Sequence, residues 1–232
     1  VHNIPDVSRW KKKVSEWKSR YSTFNENEFD PYNFFTSLSD ICDPNDNIVL
    51  DTGCVLAWAL QSFKCKEGQV LMHDWNNTAM GWALPAAMGA YLANRNRTIC
   101  ISGDGSMQMN IQELATIKRY NLPIKIIVMN NDGHAMIRQT QDQWLNSNYI
   151  ASSIEGGLPS VNFCSIGKAY GIESVRYNLD EELPKKIQQF LSSEGASLCE
   201  VTVDPTYRVK TQVKFGRPLE DLEPLLPRKE FF

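Results

Sequence analysis

A chain of 232 residues with 42% hydrophobic and 22% charged residues has the make-up of one folded domain with extensions, not of a disordered or membrane-spanning protein. Its formal net charge of −3 supplies no broad positive field for a nucleic-acid backbone or an anionic bilayer, so an anionic ligand must be held locally. No apolar run approaches the roughly 18 residues of a bilayer span, and the opening VHNIPDVSRW has no signal-peptide pattern, which makes the cytoplasm the expected compartment.

The elements follow in chain order. Ile4, Val7, Trp10, Val14 and Trp17 recur at helical steps among lysines and serines, so residues 1 to about 21 are expected to form an amphipathic helix. A first residue of valine within that helix suggests a chain cut from something longer, with 1–29 as a linker from a preceding domain. The polar stretch STFNENEFDP follows, and Asp30-Pro31 favours a turn or helix start.

From residue 30 to 205 β-branched or apolar runs alternate with helical segments. Strands are expected at 48–50, 70–72, 98–102, 124–129, 172–175 and 198–203, and helices around 55–63, 84–93, 111–120, 161–170 and 181–192. This alternation predicts an α/β fold with a parallel six-stranded sheet and helices on both faces. Residues 206–232, rich in proline and mixed charge, are expected to form an extended C-terminal arm. The six cysteines are scattered with no C-x-x-C pair, and are expected to be reduced and mostly buried.

In parallel sheets ligands bind beyond the carboxyl ends of the strands, which directs attention to the segments after strands three and four. The third is followed by Gly103-Asp104-Gly105-Ser106 and the fourth by Asn130-Asn131-Asp132-Gly133. Each alone is an ordinary turn. The 24 residues from 106 to 129 between them hold one helix and one strand, so a right-handed crossover sets the two strand ends side by side. A carboxylate and a carboxamide there suit a hard cation such as Mg2+, completed by phosphate oxygens. Gly103 and Gly105 admit close approach of a phosphate, and the amides of Gly105 and Ser106 can donate to it.

GDG, this interval and NN together resemble the signature of thiamine-diphosphate enzymes. The run GDGSMQMNIQELATIKRYNLPIKIIVMNND is similar to the corresponding stretch of acetolactate synthases, as is NNTAMGWALPAAMGAYLA, and the likeness extends from about residue 10 to 205. The resemblance implies that Asp104, the Asn131 side chain and the Gly133 carbonyl bind magnesium, which grips the diphosphate of thiamine diphosphate. It places Ser106, His134 and Ala135 beside that diphosphate. Met80 would prop the cofactor in its bent form, Thr78 would offer a backbone carbonyl, and Met136 would stand near the reacting centre. For an isolated Met, core filling is the competing reading. His134 competes with a plain surface-loop role, and His73 is expected to be structural.

The same resemblance implies decarboxylation and carboligation of 2-keto acids such as pyruvate, with branched-chain amino-acid biosynthesis as the family's usual pathway. The activating glutamate belongs to a pyrimidine-binding domain of a partner subunit, so no catalytic residue is expected on this chain, which would be inactive alone. A homodimer or larger assembly follows, and FAD would reside in the missing central domain. Two features depart from the family. Thr140 replaces the tryptophan of its M-x-x-x-W run, and the loop DTGCVLAW lacks its usual glycine and histidine, leaving Val55, Leu56 and Ala57 to contribute backbone amides at most. Similarity to a branch associated with surface polysaccharides keeps a ketosugar acceptor open. So do a cofactor-binding module without turnover and a decarboxylase releasing free aldehyde.

Overall fold

The computed structural model describes residues 6–23, 26–213, 216–219, 221–223 and 228–231. Helix α1 (Ser8–Arg20) buries none of its residues, and the rings of Trp10 and Trp17 meet edge to face at 5.8 Å. Ile4, placed on its apolar stripe by the sequence pattern, lies outside the described residues. Helix α2 (Pro31–Ile41) is more than the helix start that Asp30-Pro31 suggested. Asp30 caps it by accepting the Asn33 N–H at 3.0 Å, Pro31 occupies its first turn, and Tyr32, Phe34, Phe35 and Leu38 are buried.

The body then runs β1 (Asn47–Leu50), α3 (Cys54–Ser62), β2 (Val70–His73), α4 (Ala83–Asn94), β3 (Thr98–Gly103), α5 (Asp104–Met109), α6 (Glu113–Arg119), β4 (Ile124–Asn130), α7 (Ala135–Trp144), α8 (Phe163–Ala169), β5 (Glu173–Asn178), α9 (Leu183–Leu191) and β6 (Ser197–Thr202). The six strands form one sheet in the order β2-β1-β3-β4-β6-β5, and every pairing is parallel. All six expected strands are present. Helix α7 was not expected, because its polar run RQTQDQ conceals the face it buries.

Alternation along the strands divides the core in two, since successive strand side chains point to opposite faces. Ile48, Leu50, Ile99, Ile101, Ile127 and Met129 pack with α2, α3 and α9 on one face. Val49, Cys100, Ile126, Val128 and Leu198 pack with α4, α6 and α8 on the other. Burial on both sides explains why the strands are continuous apolar runs. Glu200 of β6, almost fully buried, accepts from Asn130 Nδ2 (2.7 Å), the Cys164 N–H (2.9 Å) and Arg176 Nη2 (2.9 Å), tying the end of β4 to α8 and β5.

Beyond the sheet, Val209 enters the core, Trp58 Nε1 donates to the Arg208 carbonyl (3.3 Å), and the Val209 N–H donates to Gln139 Oε1 of α7 (2.8 Å). Strands β7 (Gln212–Val213) and β8 (Leu222–Glu223) then pair antiparallel, and α10 spans Arg228–Phe231. The remaining residues of the expected arm, 214–215, 220, 224–227 and 232, lie outside the described set. All six cysteines are free thiols. No helix among the described residues is long and apolar enough to cross a membrane.

Strand order reverses between β1 and β3, with β2 on one side and β4 on the other. At such a point adjacent loops diverge and leave a crevice at the carboxyl edge.

Candidate functional site

A cleft of about 270 Å³ opens at that edge. Its walls come from the turns after β1 (Thr52, Gly53, Cys54, Val55), β3 (Gly103, Asp104, Gly105, Ser106) and β4 (Asn131, Gly133, His134, Ala135, Met136), with Thr78 and Met80 from the segment before α4. Every site residue expected from the sequence borders this one space. Met80 and Met136 are 39% and 37% exposed, so neither fills the core. Val55 reaches the cleft, whereas Leu56 and Ala57 are buried in the core.

The register explains the convergence of the two principal motifs. Gly103 pairs with Met129, so Asp104 and the turn 130–133 leave the sheet side by side. Asp104 Oδ2 accepts the Gly133 N–H at 2.7 Å. Burial pushes the Asp104 carboxyl up to about 6 although the Gly133 and Gly105 backbone N–H groups favour its charged form. A carboxylate so short of water is stabilised by a cation.

Two glycines make the approach of the loops possible. A Cβ on Gly105 would stand 2.4 Å from His134 Cε1 and Nδ1, so the imidazole lies directly on that peptide. A Cβ on Gly133 would stand 2.3 Å from the Ser152 carbonyl oxygen, which accepts the His134 N–H at 3.0 Å. Burial and the neighbouring Arg138 charge push the His134 pKa down, which keeps the ring neutral near pH 7.

Thr78 adopts a left-handed backbone (φ 49°), uncommon for a β-branched residue and costing of order 1 kcal/mol. Hydrogen bonds from the Thr78 N–H to the Asp74 carbonyl (2.8 Å) and from the Asn77 N–H to Asp74 Oδ1 (3.3 Å) hold the turn.

Two polar residues of this region escaped the sequence reading. Asp51, at the end of β1, accepts from the N–H groups of Thr52 (2.9 Å), Gly81 (3.0 Å) and Ala83 (3.1 Å) and from Ser102 Oγ (3.3 Å), fastening the Met80 segment to the sheet. A carboxylate at a strand's carboxyl end was a signal that could have found it. Arg138 of α7 donates from Nη2 to both the main-chain oxygen and Oδ1 of Asn131, at 3.1 Å each. Nothing in its local sequence indicates that contact.

Among the described residues no group of three or more His, Cys, Asp and Glu side chains could hold a metal. The oxygens at this edge that could hold a cation are the Asp104 carboxylate and the amide and peptide oxygens of 131–133. That donor set suits Mg2+, which commonly keeps one or two protein carboxylates and takes phosphate for the rest. The thiol of Cys54 is pushed up to about 12 by burial and carries no charge near neutral pH.

A parallel α/β domain with a glycine-lined cleft at its switch point has the architecture of a cofactor-binding domain. Residues 51–201 match the family model described as thiamine pyrophosphate enzyme, C-terminal TPP binding domain. The chain belongs to this family. It is 34% identical to an acetolactate synthase large subunit of Cyanidium caldarium, over 84% of this chain and 33% of that protein. Identity is 31% to acetolactate synthase isozyme 1 large subunit of Escherichia coli K12, over 80% and 33%. It is also 31% to acetolactate synthase 2, chloroplastic, of Brassica napus, over 95% and 36%. The chain thus spans about a third of the length of these curated relatives.

Proposed function

We propose that this chain supplies the diphosphate- and magnesium-binding half of an acetolactate-synthase-like enzyme acting on 2-keto acids such as pyruvate. The observation that carries the reading is the buried Asp104 carboxylate, pressed against the 131–133 turn inside the cleft. Asp104, Asn131 Oδ1 and the Gly133 carbonyl would hold Mg2+, with Gly103, Gly105, Ser106, His134 and Ala135 around the diphosphate. Met80 would support the bent cofactor, the Thr78 carbonyl would orient its pyrimidine, and Met136 would exclude water from the reacting carbon. When bound, thiamine diphosphate supplies the electron sink for decarboxylation and for transfer of the remaining two-carbon unit.

The glutamate that activates the cofactor would come from the pyrimidine-binding domain of a partner subunit, so a dimer or larger assembly is the working form and 1–29 is the linker entering 30–205. FAD, if the enzyme uses it, would sit in the central domain, and the cytoplasm is the compartment of this reading. A ketosugar as acceptor is the second reading, carried by one observation: Thr140, exposed on α7 with Oγ1 turned back on the carbonyl of the cleft-lining Met136 (3.2 Å), stands one turn beyond the cleft where the family's M-x-x-x-W run has a tryptophan.

Titration of thiamine diphosphate into the chain, with Mg2+ and with EDTA, tests the site. Metal-dependent binding abolished by Asp104→Ala is expected, and metal-independent binding unaffected by that substitution would overturn it. Product analysis of the enzyme from its complete gene, given pyruvate with and without a ketosugar, separates acetolactate, free acetaldehyde and a branched sugar.

A further inference from the structure

Arg138 is only 4% exposed, and among the described residues its Nε–H has no partner. Keeping a charged, incompletely satisfied guanidinium inside the fold is costly. What it touches defines its use. Its Nη2 reaches both oxygens of Asn131, and Gly133 has no side chain on that side, where a Cβ would lie 3.4 Å from Arg138 Cζ.

Asn131 borders the same cleft as Asp104, a buried carboxylate that forms no ion pair with a cationic side chain among the described residues. A free carboxamide beside such a group gains most by turning its NH2 toward it, which would aim two donors at the place a cation needs. A guanidinium donates only and accepts nothing. Its hydrogen bond to Oδ1 therefore fixes which end of the amide is oxygen, and its bond to the Asn131 carbonyl fixes the backbone from which that amide projects.

We propose that Arg138 is a positioning residue for the metal site: it locks the Asn131 carboxamide in the one orientation that offers oxygen to a divalent cation. This rests on the reading of Asp104 and Asn131 as cation ligands. Mg2+, which demands near-octahedral geometry, would depend on the lock more than Ca2+, whose coordination is flexible.

The test follows the tryptophan fluorescence of the 232-residue chain, in which Trp58 lines the cleft, during Mg2+ and Ca2+ titrations with thiamine diphosphate present. Arg138→Leu is expected to raise the half-saturating Mg2+ concentration about 10- to 100-fold, the usual consequence of losing a group that orients a metal ligand, and to affect Ca2+ less. In an Asn131→Asp background both side-chain oxygens are acceptors, orientation no longer matters, and the effect should shrink to about threefold or less. Arg138→Lys, donor only, should keep most of the affinity, whereas Arg138→Gln, which carries an acceptor, should not. This conservative pair decides the matter if the leucine variant lacks a cooperative melt. Equal losses with and without the Asn131→Asp substitution, or unchanged Mg2+ dependence in the leucine and glutamine variants, would overturn the inference while leaving the site standing. A parent chain that binds no Mg2+ with thiamine diphosphate would overturn both.

Discussion

Replacing Asp104 with asparagine separates the cost of the buried carboxylate from its use. The folded chain holds this carboxyl at about 6 against an ordinary 3.8, because burial outweighs the N–H groups that favour the anion. A group raised in this way stabilises the fold below pH 4, and that contribution is lost as pH rises through about 6. A rise of that size corresponds to about 3 kcal/mol of metal-free stability forgone above pH 7. Asparagine keeps an oxygen to accept the Gly133 N–H but never ionises. Urea denaturation in EDTA, followed by tryptophan fluorescence from pH 4 to 8, should show parent and Asp104→Asn nearly equal at the acid end. The variant should then gain by roughly 2 to 3 kcal/mol at pH 7.5. Saturating Mg2+ and thiamine diphosphate should reverse the order. A variant less stable than the parent at pH 7.5 without metal, or a constant difference across the range, would refute the reasoning.

Gly105→Ala should destabilise the chain by roughly 1 to 3 kcal/mol, because the new methyl collides with the His134 ring, and His134→Ala should relieve most of that loss in a urea-melt double-mutant cycle. Met80→Ala, at a side chain 39% exposed, should shift chemical stability by less than about 1 kcal/mol yet weaken thiamine diphosphate binding measured by calorimetry. Glu200→Ala strips three donors of their acceptor and leaves Arg176 without its partner, so denaturation should report a loss of about 3 kcal/mol or more.

The sheet was legible because fully buried strands leave a local trace: runs such as Ile124–Met129 are apolar at nearly every position, and glycine or polar turns bound them. Helix α2 was less legible, since its aromatic residues meet the core chiefly through packing with α3 and α9, and α7 hides buried Arg138, Gln139 and Gln141 in a polar string. The cleft divides along the same line. GDGS and NNDG announce themselves because turn chemistry is local, and strand adjacency then brings them together. Asp51 and Arg138 act across 30 and 7 residues of sequence on groups identified only once the chain is folded. The carboxyl edge of β1 pointed to the first, whereas direction on a helix, not residue type, determines the second.

Diffraction from crystals of the chain grown with thiamine diphosphate and Mn2+ as an anomalous stand-in for Mg2+ tests the central claim most directly. A single anomalous peak bounded by the Asp104 carboxylate, Asn131 Oδ1, the Gly133 carbonyl and two phosphate oxygens is the expected result. A diphosphate seated in the cleft with no metal at that point, or a metal held away from Asp104, would contradict it.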